Sequence, residues 1–117
     1  MNDTVIYHNP RCSKSCQTLQ LLTDNRIDPK IIKYLDNPPS LKELDELCQL
    51  LNLEPLQLMR TNEMRFQELG LSVQDQRSRE EWLQLMSDNP VLIERPIVVR
   101  AQRAAVGRPP ENVLTIL

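Results

Sequence analysis

The sequence predicts an α/β protein: a mixed four-stranded sheet flanked by helices, with a helical block inserted between the second and third strands. Three observations predict it. The chain opens with strand-like, helix-like and strand-like stretches inside its first 34 residues. Two capping-box patterns, Ser40-Leu41-Lys42-Glu43 and Ser78-Arg79-Glu80-Glu81, each lead into apolar residues at helical spacing. The chain closes on two short apolar runs, 96–99 and 103–106, with only Ala101-Gln102 between the second run and the arginine that follows the first.

In chain order, residues 4–7 (Thr-Val-Ile-Tyr) read as a short buried strand, and Asn9-Pro10 as the turn that ends it. A helix is predicted from Ser13 to Asp24. Residues 30–34 follow Pro29 as a second strand. The helix behind Ser40 carries Leu44, Leu47, Cys48 and Leu51 on one face. Glu54–Met59 and Glu63–Leu69 are predicted as shorter helices, the second closed by Gly70. The helix behind Ser78 presents Trp82, Leu85 and Met86. Residues 96–99 form a strand opening at a proline, and 103–106 its hairpin partner. Arg108-Pro109-Pro110-Glu111 opens a last short helix, with proline near its start. The whole reads as a single domain, 1–117, with the insertion over roughly residues 40–88.

Composition narrows the function. The 117 residues carry a formal net charge of −2, which excludes a general nucleic-acid binder. No run approaches the roughly 18 apolar residues of a membrane span, and the N-terminus lacks a secretory leader. Three cysteines in no framework spacing give a cytosolic pattern, in which thiols stay reduced unless they work. Ten of the 14 basic residues are arginine, the side chain suited to planar oxyanions.

The chemistry centres on HNPRCSKSC, residues 8–16. Cys12 sits where a strand passes through a turn into a helix. Unpaired N–H groups at such a helix start favour a negative charge, and a thiolate is one. Arg11 and Lys14 are adjacent, and His8 is four residues back. The alternative is an inert packed thiol, but Pro10, Arg11, Ser13, Lys14 and Ser15 form a poor wall for one. Ser15 makes the motif C-x-x-S, so Cys12 lacks the second cysteine of a dithiol oxidoreductase. The sixth residue after Cys12 is Thr18, not the arginine of a phosphatase-type loop. Cys16 lies one helical turn on. Cβ atoms at that spacing are about 5–6 Å apart, wider than an unstrained disulfide accepts, so a resolving role for Cys16 requires the turn to loosen. A metal set of His8, Cys12 and Cys16 matches no paired-ligand spacing. Cys48, among leucines, is assigned to the core.

HNPRCSKS at the start, YLDNPPS at 34–40, LMRTNE at 58–63, ELGL at 68–71, NPVLIERPIVV at 89–99 and GRPPENVL at 107–114 together resemble the glutaredoxin-dependent arsenate reductase family, in order and through almost the whole chain. The resemblance is to its short branch, which lacks the longer tail of the resistance enzymes. It implies a thioredoxin-like fold and Cys12 as nucleophile, with His8 near the thiolate. Arg60, Arg95 and Arg108 match the three arginines that hold the oxyanion. Ser15 is placed with the substrate-binding residues. Pro96 is the proline, cis in such folds, that borders the active cysteine. Taken alone, each arginine reads as a solvated or salt-bridged residue; only the resemblance brings them together.

The implied activity is reduction of arsenate to arsenite through a Cys12 thiol–arsenate adduct. Glutathione is the co-substrate, glutaredoxin the recycling partner, and no metal or bound cofactor takes part. A cytoplasmic monomer, without nucleic-acid or membrane partners, is expected. Many relatives carry arginine at the position of Cys16, so that side chain is expected not to be deeply buried. The first alternative is a glutathione-linked monothiol oxidoreductase acting on another substrate. The second is a redox-sensing regulator that binds RNA polymerase; relatives of that kind use a C-x-x-C switch, which Ser15 removes here.

Overall fold

A computed structural model describes residues 4–117. Four strands, β1 (Val5–His8), β2 (Lys30–Lys33), β3 (Ile97–Arg100) and β4 (Arg103–Val106), form one sheet in the order β2-β1-β3-β4. β1 pairs parallel with β2, while the β1–β3 and β3–β4 pairs are antiparallel. The sheet is therefore mixed and the fold thioredoxin-like, as the sequence implied. Helix α1 (Ser13–Asp24) is the crossover between the parallel strands, and the helical block falls between β2 and β3.

The strand limits differ from the sequence reading by a residue, for local reasons. β1 runs on to His8, whose backbone pairs with Lys33. β3 begins at Ile97 because Pro96 has no N–H to give the ladder. Ala101 and Gln102 both take positive φ (50° and 62°), the twist a two-residue hairpin needs. The last helix is a 3₁₀ segment, Pro110–Ile116.

The described residues divide into two compact units. The first joins the segment up to Asn37 with Arg95–Leu117 and contains the sheet, α1 and the closing 3₁₀ segment. Its core is Ile6, Leu22, Val98, Val113 and Ile116, with Leu19, Ile27 and Ala105 packed against it. Ile6 stands opposite Val98 in register, so strand pairing and core packing fix the same alignment. Each such aliphatic side chain contributes about 1.5–3 kcal/mol relative to exposure.

The second unit, Pro38–Glu94, is helical: α2 (Leu41–Leu51), α3 (Pro55–Leu58), α4 (Met64–Glu68) and α5 (Arg79–Asp88). Both predicted capping boxes form. Ser40 Oγ accepts from the Glu43 N–H and Ser78 Oγ from the Glu81 N–H, and each glutamate answers the cap's own N–H. Gly70 closes α4 at φ +69°. Leu44, Leu47, Cys48, Leu58, Trp82 and Met86 are buried. No helix among the described residues is long and apolar enough to cross a membrane.

Candidate active site

Asn9-Pro10-Arg11-Cys12 forms the turn between β1 and α1. The Cys12 N–H donates to the Asn9 carbonyl (3.0 Å), and the Arg11 N–H to the Asn9 side-chain oxygen (3.0 Å). Asparagine first and proline second suit such a turn: proline presets φ, and asparagine caps the residue two further on. Cys12 is left as the N-cap of α1, in extended conformation (φ −99°, ψ 122°). Its side chain makes no cap hydrogen bond, but the N–H groups of Lys14 and Ser15 in the first turn favour a charged sulfur there.

Cys12 is 8% exposed. Burial pushes its thiol up, and is the largest single influence. The Ser15 N–H, the charge and hydrogen bond of Arg95, and the Lys14 N–H together outweigh it, and the balance holds Cys12 below the ordinary thiol range. Arg108 adds a guanidinium, its Nη2 3.6 Å from Cys12 Sγ. That guanidinium is held from behind, since Arg108 Nε donates to the Arg95 carbonyl at 2.7 Å. Arg11 and Lys14 are the cations adjacent to Cys12 in the sequence. In the structure both side chains are exposed; Lys14 acts through its backbone N–H, and the charge comes from Arg95, 83 positions along the chain.

His8 and Ser15 lie behind the sulfur and are both buried. Ser15 Oγ is 2.6 Å from His8 Nδ1 and accepts from the Asn9 N–H at 3.0 Å. The Ser15 hydroxyl braces the turn, and its N–H favours the charged form of the Cys12 sulfur. His8 reaches Cys12 through Ser15. Burial first, and then the Lys33 charge, hold the imidazole below its ordinary value, so His8 is neutral near pH 7.

Pro96 follows Arg95 through a cis bond, and its carbonyl accepts from the Gly107 N–H (2.9 Å). The Arg108–Pro109 bond is also cis, a feature without a sequence signal. Cys16 is exposed and its thiol lies 3.3 Å from the Pro10 carbonyl, while Cys48 is fully buried. Among the described residues no three of His, Cys, Asp and Glu gather as a metal site.

Arg60 belongs to the helical unit. Its N–H donates to the Leu92 carbonyl, and its guanidinium pairs with Glu63 (3.2 Å) and Glu94 (4.0 Å). The Glu63 pair is an ion pair without hydrogen-bond geometry at the buried Nη1.

Fold and site together define a thioredoxin-like domain with a cysteine at a helix start, its thiol held below the ordinary range and faced by Arg95 and Arg108. The sequence matches the ArsC family model over residues 7–116, and the chain belongs to that family. It is 42% identical over 118 aligned residues to an arsenate reductase of Neisseria meningitidis, covering 100% of both chains. It is 46% identical to the uncharacterized protein YfgD of Escherichia coli, covering 96% of this chain and 94% of the other. Its fold superposes on the structure of an arsenate reductase from Vibrio cholerae with a TM-score of 0.95, at 49% identity, covering 99% of this chain and 98% of that one.

Proposed function

We propose that the protein is an oxidoreductase that reduces arsenate to arsenite, using glutathione and glutaredoxin as the source of electrons. One observation carries the proposal: the sulfur most disposed to be a thiolate is also the one faced by Arg95 and Arg108. A nucleophile surrounded by anion-binding groups suits a substrate that is both electrophilic and anionic. The names borne by full-length relatives support arsenate as that substrate.

The proposed reaction runs in three steps. The Cys12 thiolate attacks As(V), an As–O bond breaks, and the oxygen leaves as water after protonation. Arg95 and Arg108 balance the charge on the remaining oxygens. Arg60 joins them in the proposal on the sequence resemblance alone. Glutathione thiolate then attacks Cys12 Sγ. The S–As bond breaks with its electron pair going to arsenic, which departs as arsenite, and the two sulfurs are left oxidised as a mixed disulfide. A glutaredoxin thiolate attacks the glutathione sulfur and frees Cys12. Every electron comes from thiols, so the scheme requires no bound cofactor.

The test is NADPH oxidation in the presence of arsenate, glutathione, glutathione reductase and glutaredoxin. Arsenate-dependent turnover is expected, abolished in Cys12→Ser and lowered about 10²–10³-fold in Arg95→Ala or Arg108→Ala. Normal turnover in both arginine variants refutes the anion site. Turnover with an oxidised thiol substrate but none with arsenate moves the assignment to monothiol exchange.

A further inference from the structure

Arg108 reaches Cys12 from the far end of the chain, so something must set how closely the segment after β4 approaches the start of α1. Gly107, directly before Arg108, is buried. A Cβ built on it would overlap Thr18 Oγ1 and come within 2.8 Å of Pro96 Cγ and 3.1 Å of Thr18 Cγ2. Its φ is not in the left-handed region, so the demand for glycine here is one of space. Thr18 is fully buried, six residues along α1 from Cys12, and its hydroxyl is fixed by a 2.8 Å hydrogen bond to the Lys14 carbonyl. The Gly107 N–H is tied to the Pro96 carbonyl, and the next residue's Nε to the Arg95 carbonyl. Backbone and guanidinium are therefore anchored on the same Arg95-Pro96 pair while Gly107 lies against Thr18.

We infer that Gly107 and Thr18 are positioning residues for the proposed reaction: the close approach of the Gly107 backbone to the Thr18 side chain sets the Arg108 guanidinium at Cys12 Sγ. Neither touches the sulfur. The inference rests on the reading of Arg108 as an oxyanion ligand, but it makes a claim about the thiolate that needs no arsenate. Any side chain at position 107 has fixed groups on two sides, Thr18 on the helix and the Pro96 ring just before β3. The segment yields by moving off α1 and carries Arg108 with it. A displacement of about 1 Å at a reacting centre costs on the order of a hundredfold in rate.

The test compares Gly107→Ala, Arg108→Ala and the double variant Gly107→Ala/Thr18→Ala. Two readouts are taken, the pH titration of Cys12 alkylation by iodoacetamide and kcat/KM for arsenate. Gly107→Ala should shift the alkylation midpoint upward, in the direction of Arg108→Ala, and lower kcat/KM about a hundredfold. The double variant removes the Thr18 half of the clash and should recover part of both. A role in stability alone would lower the melting temperature and leave the alkylation midpoint unmoved. Thr18→Leu, which adds the bulk from the helix side, serves if Gly107→Ala does not fold. If Arg108→Ala shifts the midpoint and neither Gly107→Ala nor Thr18→Leu does, the inference is overturned. If all three shift it together while arsenate is not turned over even by the unaltered protein, the positioning stands and the choice of substrate falls.

Discussion

Replacing Arg108 with glutamine removes a positive charge whose Nη2 lies 3.6 Å from Cys12 Sγ and leaves the burial of that sulfur in place. Opposite unit charges 4 Å apart attract by about 4 kcal/mol at an effective dielectric of 20. The guanidinium spreads its charge over three nitrogens, and Arg108 is only half-buried. About a third to a half of that figure survives the spreading and the solvent screening, roughly 1.4–2 kcal/mol. The Cys12 pKa should therefore rise toward the ordinary thiol value. Arg95→Gln should move it the same way, because Arg95 contributes both a charge and a hydrogen bond to the sulfur. The assay is the ultraviolet absorbance of the thiolate against pH, in a Cys16→Ser background, with the Cys12→Ser trace subtracted. Cys48 does not interfere, since burial pushes its thiol up. The depressed Cys12 value also stabilises the fold. That contribution is complete above the ordinary thiol pKa and is lost as pH falls through the folded value, so variant and parent should converge in unfolding free energy on the acid side. An unmoved titration in both variants, with circular dichroism unchanged, would refute the electrostatic account of the site.

Two further predictions concern the frame around it. His8 is the only histidine, and burial with Lys33 holds its pKa below the ordinary value, so the unfolded chain binds its proton first. Stability should therefore decline as pH drops below about 6.5, and His8→Gln should flatten that part of a urea-unfolding series. In the helical unit, Ser40→Ala removes a reciprocal cap and should cost about 1 kcal/mol, read from the same unfolding curves; Ser40→Gly should cost less.

Local signals were the legible ones. Ser40 and Ser78 announce their helices because a cap and its answering glutamate lie within four residues. Asn9 and Pro10 announce their turn for the same reason. Strand limits slipped by a residue where pairing decided them, as at His8, whose partner Lys33 comes from another strand. Ala101-Gln102 carries no left-handed signature, yet both residues adopt it because the register of β3 and β4 leaves only two residues for the turn. The site was less legible than the fold. Cys12 stood out from its neighbours alone, but its electrostatic partner Arg95 is distant in sequence, and adjacency pointed instead to Arg11 and Lys14. Ser15 was visible as part of a motif, while the direction of its hydroxyl depended on His8 lying buried behind it. Gly107 had one faint signal, being one of two glycines in the chain. Thr18 had none, because a threonine within a helix shows its purpose only when a backbone is laid against it.

The order in which the chain is made gives the strand arrangement a further meaning. Cys12 leaves the ribosome early, whereas Arg108 stands 96 positions later. The parallel β1–β2 pair and α1 can be drawn from the first 33 residues, but β1 gains its other neighbour only when residues 97–99 arrive. Until then, the turn carrying the sulfur has its two backbone amides and no arginine from the late segment. The guanidiniums that face Cys12 in the finished fold are therefore the last part of its surroundings to be made. Long-range pairing slows such a fold, since loop closure must come before the contacts that reward it. Here the same delay applies to the side of the sheet that carries Arg95 and Arg108.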